Sequence, residues 1–305
     1  MIRPYVDQDF MSYLVFQKQA AGIGPVERYK NPASLRRAFA RPGFLANEDI
    51  LLMLGPGGEI LGSITMRREY FLRRVVLSLL MVHWPADENS PGKLVEEGMR
   101  IAATRAMLVA HVNVSENEVK GIGLLERLGF GLARRYLELE MPPAALEIVS
   151  GQIPGEKHRC MRAGEEEKLA RLQNAAFKDT WGYNANTAVD IKYSVETSGG
   201  PQNVVVIEEN GDLVAYCWIM PGLEGEIAEP DAGRIYMIGV HPAQRGRGLG
   251  RYALMAGLRM LKAKDKVRAV LTVDSENRTA LALYESLGFR VTAASLWYER
   301  TLKAT

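Results

Sequence analysis

Residues 240–257 read "VHPAQRGRGLGRYALMAG" and set Arg245, Arg247 and Arg251 among Gly246, Gly248 and Gly250. A β-patterned run precedes them and an amphipathic run follows. At a strand-to-helix turn the first helical N–H groups have no intrahelical partner, and they sit at the positive end of the helix dipole. Such an end holds anions. Glycine opens the backbone to a ligand, and guanidinium forks suit phosphate oxygens. Three arginines point to more than one negative charge, so a diphosphate is expected in preference to a carboxylate. The spacing differs from the dinucleotide fingerprint G-x-G-x-x-G and from the G-x-x-x-x-G-K-[ST] phosphate loop.

Other groups could take part in chemistry. Tyr284 lies in "RTALALYESLG" and carries a phenol able to donate a proton. Glu226, Glu229 and Asp231 fall on a Gly- and Pro-containing stretch before the strand that leads into the arginine turn. His241 follows that strand and reads as a turn residue. The cysteines, Cys160 and Cys217, are far apart and lack partners at metal-binding spacing. Cys217 sits in an apolar run and reads as core. No metal site is expected.

The elements that must position these groups are legible as patterns. "NVVVIEE" and "LVAYCWIM" around a Gly-acidic turn predict a hairpin. "RIYMIGV" (234–240) predicts a strand. "GRYALMAGLRMLKAK" (250–264) predicts a helix with Leu254, Leu258 and Leu261 on one face. "RAVLTV" (268–273) predicts a buried strand, and 278–288 a helix ended by Gly288. This order predicts an α/β layered domain.

The chain repeats itself. "SENEVKGIGLLERLGF" (115–130) parallels "SENRTALALYESLGF" (275–289), with the phenylalanines 159 positions apart. "LLMLGPGGEILGSITM" (51–66) parallels "VVVIEENGDLVAYCWIM" (204–220). The Pro- and Gly-containing stretch 140–158 reads as linker and lead-in. Two domains are expected, at 1–145 and 157–305. Length supports two domains. A formal net charge of +2 gives no general pull toward nucleic acid or anionic membrane. No apolar run reaches the ~18 residues of a membrane span. The opening residues lack the apolar core of a signal peptide, and two distant cysteines suit a reduced compartment. A cytoplasmic protein is expected.

"IYMIGVHPAQRGRGLGRYAL" followed by "VDSENRTALALYESLGF" resembles the core of the GNAT N-acetyltransferase superfamily. The family motif Q/R-x-x-G-x-G/A matches 245–250, and its N…Y…GF signature matches Asn277, Tyr284, Gly288 and Phe289. More weakly, the whole chain resembles tandem members such as mycothiol synthase, "NAAFKDTWGY" (174–183) included. The resemblance implies two tandem GNAT-like domains, each a mixed, mostly antiparallel central sheet flanked by helices. It implies acetyl-CoA as co-substrate. The diphosphate would lie on Arg245, Gly246, Arg247, Gly248, Leu249, Gly250 and Arg251, and the pantetheine arm along Ile238, Gly239 and Val240. Asn277 would bond that arm or hold the loop after the strand. Tyr284 would be the general acid toward the departing thiolate, and strand N–H groups would hold the oxyanion.

The implied reaction moves an acetyl group to the primary amine of a small molecule, in a monomer or homodimer with no nucleic-acid or membrane partner. A non-catalytic acyl-CoA sensor and an N-terminal protein acetyltransferase stand as alternatives. In relatives a glutamate at the start of the motif strand is thought to be the base; the matching position is Arg234, which leaves Glu226, Glu229, Asp231 or no base. Arg234 also suits an acidic group on the acceptor. Trp181 and Tyr183 fall where acceptor sites are walled. In the first half, 83–98 offers Asp87, Glu88, Glu96 and Glu97 with one cation, Lys93, and Leu125 replaces Tyr284. Carboxylates there repel phosphate, so 1–145 is expected to be degenerate and non-catalytic.

Overall fold

The computed structural model describes residues 1–23, 29, 31–82, 90–150, 157–222 and 231–303. Two compact units emerge: Met1–Tyr136 with Ala293–Thr305, and Leu137–Thr292. Among the described residues no helix is long and apolar enough to cross a membrane.

The first unit contains β1 (Ile2–Pro4), α1 (Phe10–Gln19), β2 (Ala21–Ile23), α2 (Pro32–Phe39), α3 (Ala46–Asp49), β3 (Ile50–Leu54), β4 (Ile60–Glu69), β5 (Arg74–Val82), α4 (Ser90–Thr104), β6 (Val109–Ser115), α5 (Val119–Arg127) and most of β7 (Gly131–Met141). The second contains the end of β7, α6 (Pro143–Ser150), β8 (Arg159–Cys160), α7 (Glu166–Phe177), α8 (Ala188–Thr197), β9 (Val204–Glu209), β10 (Asp212–Met220), β11 (Ala232–Val240), α9 (Leu249–Lys262), β12 (Arg268–Asp274) and α10 (Arg278–Ser286). β13 (Arg290–Thr301) begins in the second unit and passes into the first.

Strand order is β1-β3-β4-β5-β6-β13 in the first unit and β7-β12-β11-β10-β9-β8 in the second. The units therefore differ from the expected spans 1–145 and 157–305 at their last strands. Residues 295–301 of β13 pair antiparallel with β6, while the end of β7 lies beside β12. A sequence repeat marks where each copy starts and stops. Strand pairing decides which sheet the final strand joins.

In the second unit β10 alternates its two faces as a strand must. Tyr216 and Trp218 pack with Leu169 and Leu172 of α7 and Ile191 and Val195 of α8. Cys217 and Ile219 face α9 on the other side. A Cβ on Gly257 would lie 2.4 Å from Cys217 Sγ and 3.4 Å from Ile219 Cγ2, so the glycine lets α9 approach the sheet. α9 buries Ala253, Leu254, Leu258 and Leu261 at helical spacing. Each fully buried leucine contributes roughly 1.5–3 kcal/mol. Helices thus cover both faces of the sheet, as the alternation of β10 requires.

Candidate active site

β11 and β12 run parallel, yet they pair over three positions only, Ala232↔Arg268, Gly233↔Ala269 and Arg234↔Val270. Both strands continue, β11 to Val240 and β12 to Asp274. On its other edge β11 stays paired with β10 as far as Val240. Tyr236 is an extra residue there, between Ile235 opposite Ile219 and Met237 opposite Trp218. A bulge of this kind raises local twist and bends its strand, which turns β11 away from β12. The result is a fork closed at Arg234. Among the described residues no strand pairs with the β12-facing edge of β11 beyond it. Ile238, Gly239 and Val240 lie along that open edge. Gly239 stands opposite Tyr216, and a Cβ on it would fall 2.6 Å from the Tyr216 ring and 3.2 Å from Ala176.

The arginine turn follows the open end of the fork. Gly246 and Gly248 both have φ of +77°, which favours glycine, and a Cβ on either would meet no atom within 4 Å. Gly248 is the N-cap of α9. Tyr252 N–H donates to the Gly248 carbonyl at 3.0 Å, and among the described residues the N–H groups of positions 246–251 have no partner. This is an open cradle of backbone donors at a helix start. Gly250 differs, since a Cβ there would lie 3.5 Å from Val240 and 3.9 Å from Leu283. Those neighbours bring the end of β11, the start of α9 and α10 together.

Each of the three arginines is engaged by a group outside the turn. Arg245 donates to the Ala176 carbonyl at 2.8 Å. Arg247 is bidentate on Glu209 at 2.9 and 3.0 Å and also meets Gln244. Arg251 donates to Ser286 Oγ at 3.0 Å. Leu249 opens α9. Asn277 caps α10, its Oδ1 accepting from Ala280 N–H at 3.1 Å, so it holds the loop after β12. His241 accepts from Ala243 N–H at 3.3 Å, as a turn residue does.

Tyr284 is buried, with 6% of its surface exposed, and its ring meets Phe289 edge-on at 5.9 Å. The helix end fixes its backbone: Phe289 N–H donates to the Tyr284 carbonyl at 3.1 Å and Gly288 N–H to Glu285 at 3.0 Å. Those paired bonds, with Gly288 at φ +99°, form the Schellman arrangement. Burial, with the Cys217 thiol adding to it, pushes the phenol pKa up. Tyr284 therefore keeps its proton across the neutral range and is a donor.

A cavity of about 190 Å³ is lined by Gln173, Phe177, Trp181, Tyr183, Asn186 and the β11 residue Met237. Trp181 and Tyr183 both line this cavity. Two asparagines hold that loop. Asn174 Nδ2 donates to the Asn186 carbonyl at 2.9 Å, and Asn186 N–H returns to Asn174 Oδ1 at 2.9 Å. Asn186 Nδ2 donates to Gln173 Oε1 at 3.0 Å. Sequence reading missed this clamp, since nothing in two asparagines twelve positions apart announces it.

Of the three candidate bases, Glu226 and Glu229 lie outside the described residues. Asp231 is engaged by Arg268 at 3.0 and 3.2 Å, and that hydrogen bonding lowers its pKa. A carboxylate so held is a weak base. Arg234 donates to Thr272 Oγ1 at 3.1 Å and, at 3.4 Å, to Glu138. Among the described residues no group of His, Cys, Asp and Glu could hold a metal.

The first unit repeats the fork but fills it. β5 and β6 pair in parallel from Arg74↔Val109 to Leu77↔Val112. β4 occupies the opposite edge of β5 as far as Val82. β2 then pairs Ala21↔Val82, Gly22↔Met81 and Ile23↔Leu80. A strand has two edges, so β2 lies on the β6 side. Aligning "VH" at 82–83 with "VH" at 240–241 makes these the counterparts of 238–240. Leu125 and Tyr284 hold equivalent places: Phe130 N–H donates to Leu125 at 3.0 Å and Gly129 N–H to Glu126 at 2.9 Å. Asp87 and Glu88 lie outside the described residues. Lys93, Glu96 and Glu97 belong to α4, with Glu97 paired to Arg100.

The candidate site of the second unit is thus a parallel fork opening onto a backbone-donor cradle, with a buried tyrosine on the adjoining helix. Residues 167–289 match the model of the Acetyltransferase (GNAT) family. A mycothiol acetyltransferase of Thermobispora bispora is 33% identical over 71% of this chain and 77% of that one. Another, from Saccharomonospora viridis, is 26% identical over 80% of each. Among solved structures, a tandem GNAT protein from the clavulanic acid biosynthesis pathway is similar with a TM-score of 0.70, at 14% identity over 100% of this chain and 99% of that one. A GCN5-related N-acetyltransferase from Sphaerobacter thermophilus has a TM-score of 0.68 at 17% identity, covering 99% and 96%. The chain belongs to the GNAT acetyltransferase family, in its tandem, mycothiol acetyltransferase-like branch, and is an enzyme of that type.

Proposed function

We propose that the chain uses acetyl-CoA to acetylate the primary amine of a small molecule, and that the reaction takes place in the second unit. The observation that carries this reading is the continuity of three features: the 246–251 cradle, the open edge of β11, and Tyr284 on α10. The residues fit coenzyme A. Unpartnered N–H groups at a helix start suit a diphosphate. Gly246 and Gly248 leave space that a Cβ would enter. The unpaired edge of β11 offers backbone groups to an amide-bearing arm.

When bound, acetyl-CoA supplies an activated acetyl group. The chain does the rest. The 246–251 N–H groups anchor the carrier, and β11 orients its arm toward the closed end of the fork. Trp181, Tyr183 and Met237 bound the space for the acceptor. Tyr284 donates its proton to the departing sulfur, and the proton that the neutral amine sheds as the C–N bond forms restores the phenol. Holding both substrates in one cleft removes entropy from the barrier. The first unit is proposed to be non-catalytic: β2 takes the edge that a pantetheine arm would need, and Leu125 donates no proton.

The test is thiol release from acetyl-CoA in the presence of a panel of small amines, with Tyr284→Phe alongside. Amine-dependent release that falls in the variant supports the reading. Tight coenzyme binding with no turnover across the panel refutes it and supports a sensor.

A further inference from the structure

Three neighbouring strands of the second unit place polar residues on one face of the sheet. In β12 Ala269, Leu271 and Val273 are buried, while Thr272 is exposed on the opposite face. The Arg234 guanidinium on β11 reaches both Thr272 Oγ1, at 3.1 Å, and the Glu138 carboxylate on β7, at 3.4 Å. The pair is open to solvent, with 39% of the Arg234 side chain and 43% of the Glu138 side chain exposed. Its position is particular. Arg234 is the last β11 residue paired with β12. An acyl carrier that enters at Val240 and follows the open edge runs out where the fork closes, which is at Arg234.

We propose that Arg234 and Glu138 select an acceptor that carries a carboxylate beside its amine, that is, an amino acid with a free carboxyl group. This rests on the acetyltransferase reading above and names the substrate class of the same site. Arg234 receives the carboxylate in the fork geometry that guanidinium provides. Glu138 faces the ammonium group. A zwitterion laid against an ion pair of opposite order satisfies both charges. A plain amine offers nothing to Arg234, which would also repel it, and a neutral polyol brings no charge to the Arg234–Glu138 pair. Thr272 fixes the direction of Arg234 by accepting one of its N–H groups.

The experiment is calorimetry on the full chain with coenzyme A present, titrating the twenty amino acids and their carboxamides, together with turnover on acetyl-CoA. For the accepted side chain, the free acid should bind about ten- to hundredfold tighter than its amide, the span of a hydrogen bond to a charged group. Arg234→Met should erase that preference while leaving the coenzyme A affinity and the thermal midpoint in place. Arg234→Lys should keep part of it. The swap Arg234→Glu with Glu138→Arg rebuilds the ion pair; a merely structural pair predicts recovery of acceptor binding, and recognition predicts continued loss. Equal binding of acids and amides, binding of neither, or recovery in the swap overturns the proposal. Coenzyme A titrated alone reports separately on the underlying reading: no binding there sinks both, and normal binding with no acid preference sinks only this one.

Discussion

Gly248→Ala tests the cradle directly, because the structure separates its two costs. Gly248 has φ of +77°, so an alanine there meets the left-handed penalty of about 1–2 kcal/mol. No atom lies within 4 Å of the added Cβ, so packing contributes nothing more. In a unit of this size that lowers the melting midpoint by about 2–4 °C per kcal/mol. Gly211, in the β9–β10 turn of the same unit, is a matched control. Its φ is +84° and its Cβ space is equally empty. Gly211→Ala should lower the midpoint by a similar amount. The variants should part company in calorimetry with coenzyme A. At Gly248 the methyl group enters the space above the N–H groups of 246–251. Losing one or two charge-assisted hydrogen bonds, at about 1.5–3 kcal/mol each, weakens the dissociation constant by tenfold or more. Gly211→Ala should leave it unchanged. Equal affinities in the two variants would refute the argument that the diphosphate rests on this turn.

Tyr284→Phe should lower kcat by roughly 10²–10⁴, the usual worth of a positioned acid, while coenzyme A affinity stays within twofold in the same titration. Gly257→Ala drives a Cβ to 2.4 Å from Cys217 Sγ and should cost about 1–3 kcal/mol in urea unfolding, with Cys217→Ala recovering much of the loss. Glu165 accepts from Arg159 at 2.6 and 2.8 Å, and that hydrogen bonding holds its pKa at about 2 against an ordinary 4.5. A lowered folded-state pKa gives stability present above pH 4.5 and lost as pH falls toward 2. The difference in unfolding midpoint between the parent and Glu165→Gln should therefore shrink over that window; a constant difference would remove Glu165 as its source. Coenzyme A should bind at one equivalent per chain, and a second equivalent would count against a closed first unit.

The backbone geometry of the arginine turn and of the repeat was legible in the sequence. Gly246 and Gly248 were readable because few residues other than glycine hold φ near +77° at a helix start. The repeat was readable because each "LGF" ends a helix in the same two-bond cap, at Gly129 and Gly288. What escaped was set by pairing between distant segments. The partners of Arg245, Arg247 and Arg251 are Ala176, Glu209 and Ser286, from three other elements. Glu138 stands beside Arg234 only because β7 joins the sheet next to β12. No local pattern encodes that neighbour, and it also moved the unit boundary away from the Pro- and Gly-containing linker.

The two units share an architecture and differ at the edge of one strand. Both have a bulged strand that leaves its parallel neighbour after a few residues, and both follow with an amphipathic helix. An unpaired strand edge exposes N–H and C=O groups that need partners. In the second unit, among the described residues, no strand pairs with the edge of β11 past Arg234, and coenzyme A is the partner proposed for it. In the first, β2 supplies those partners from residues 21–23, and no ligand is required to satisfy the edge. The proposed loss of activity in the first unit therefore needs only local changes. A three-residue strand pairs along the fork, a leucine stands at the place of the tyrosine, and the sheet and its helices keep a hydrophobic core of their own.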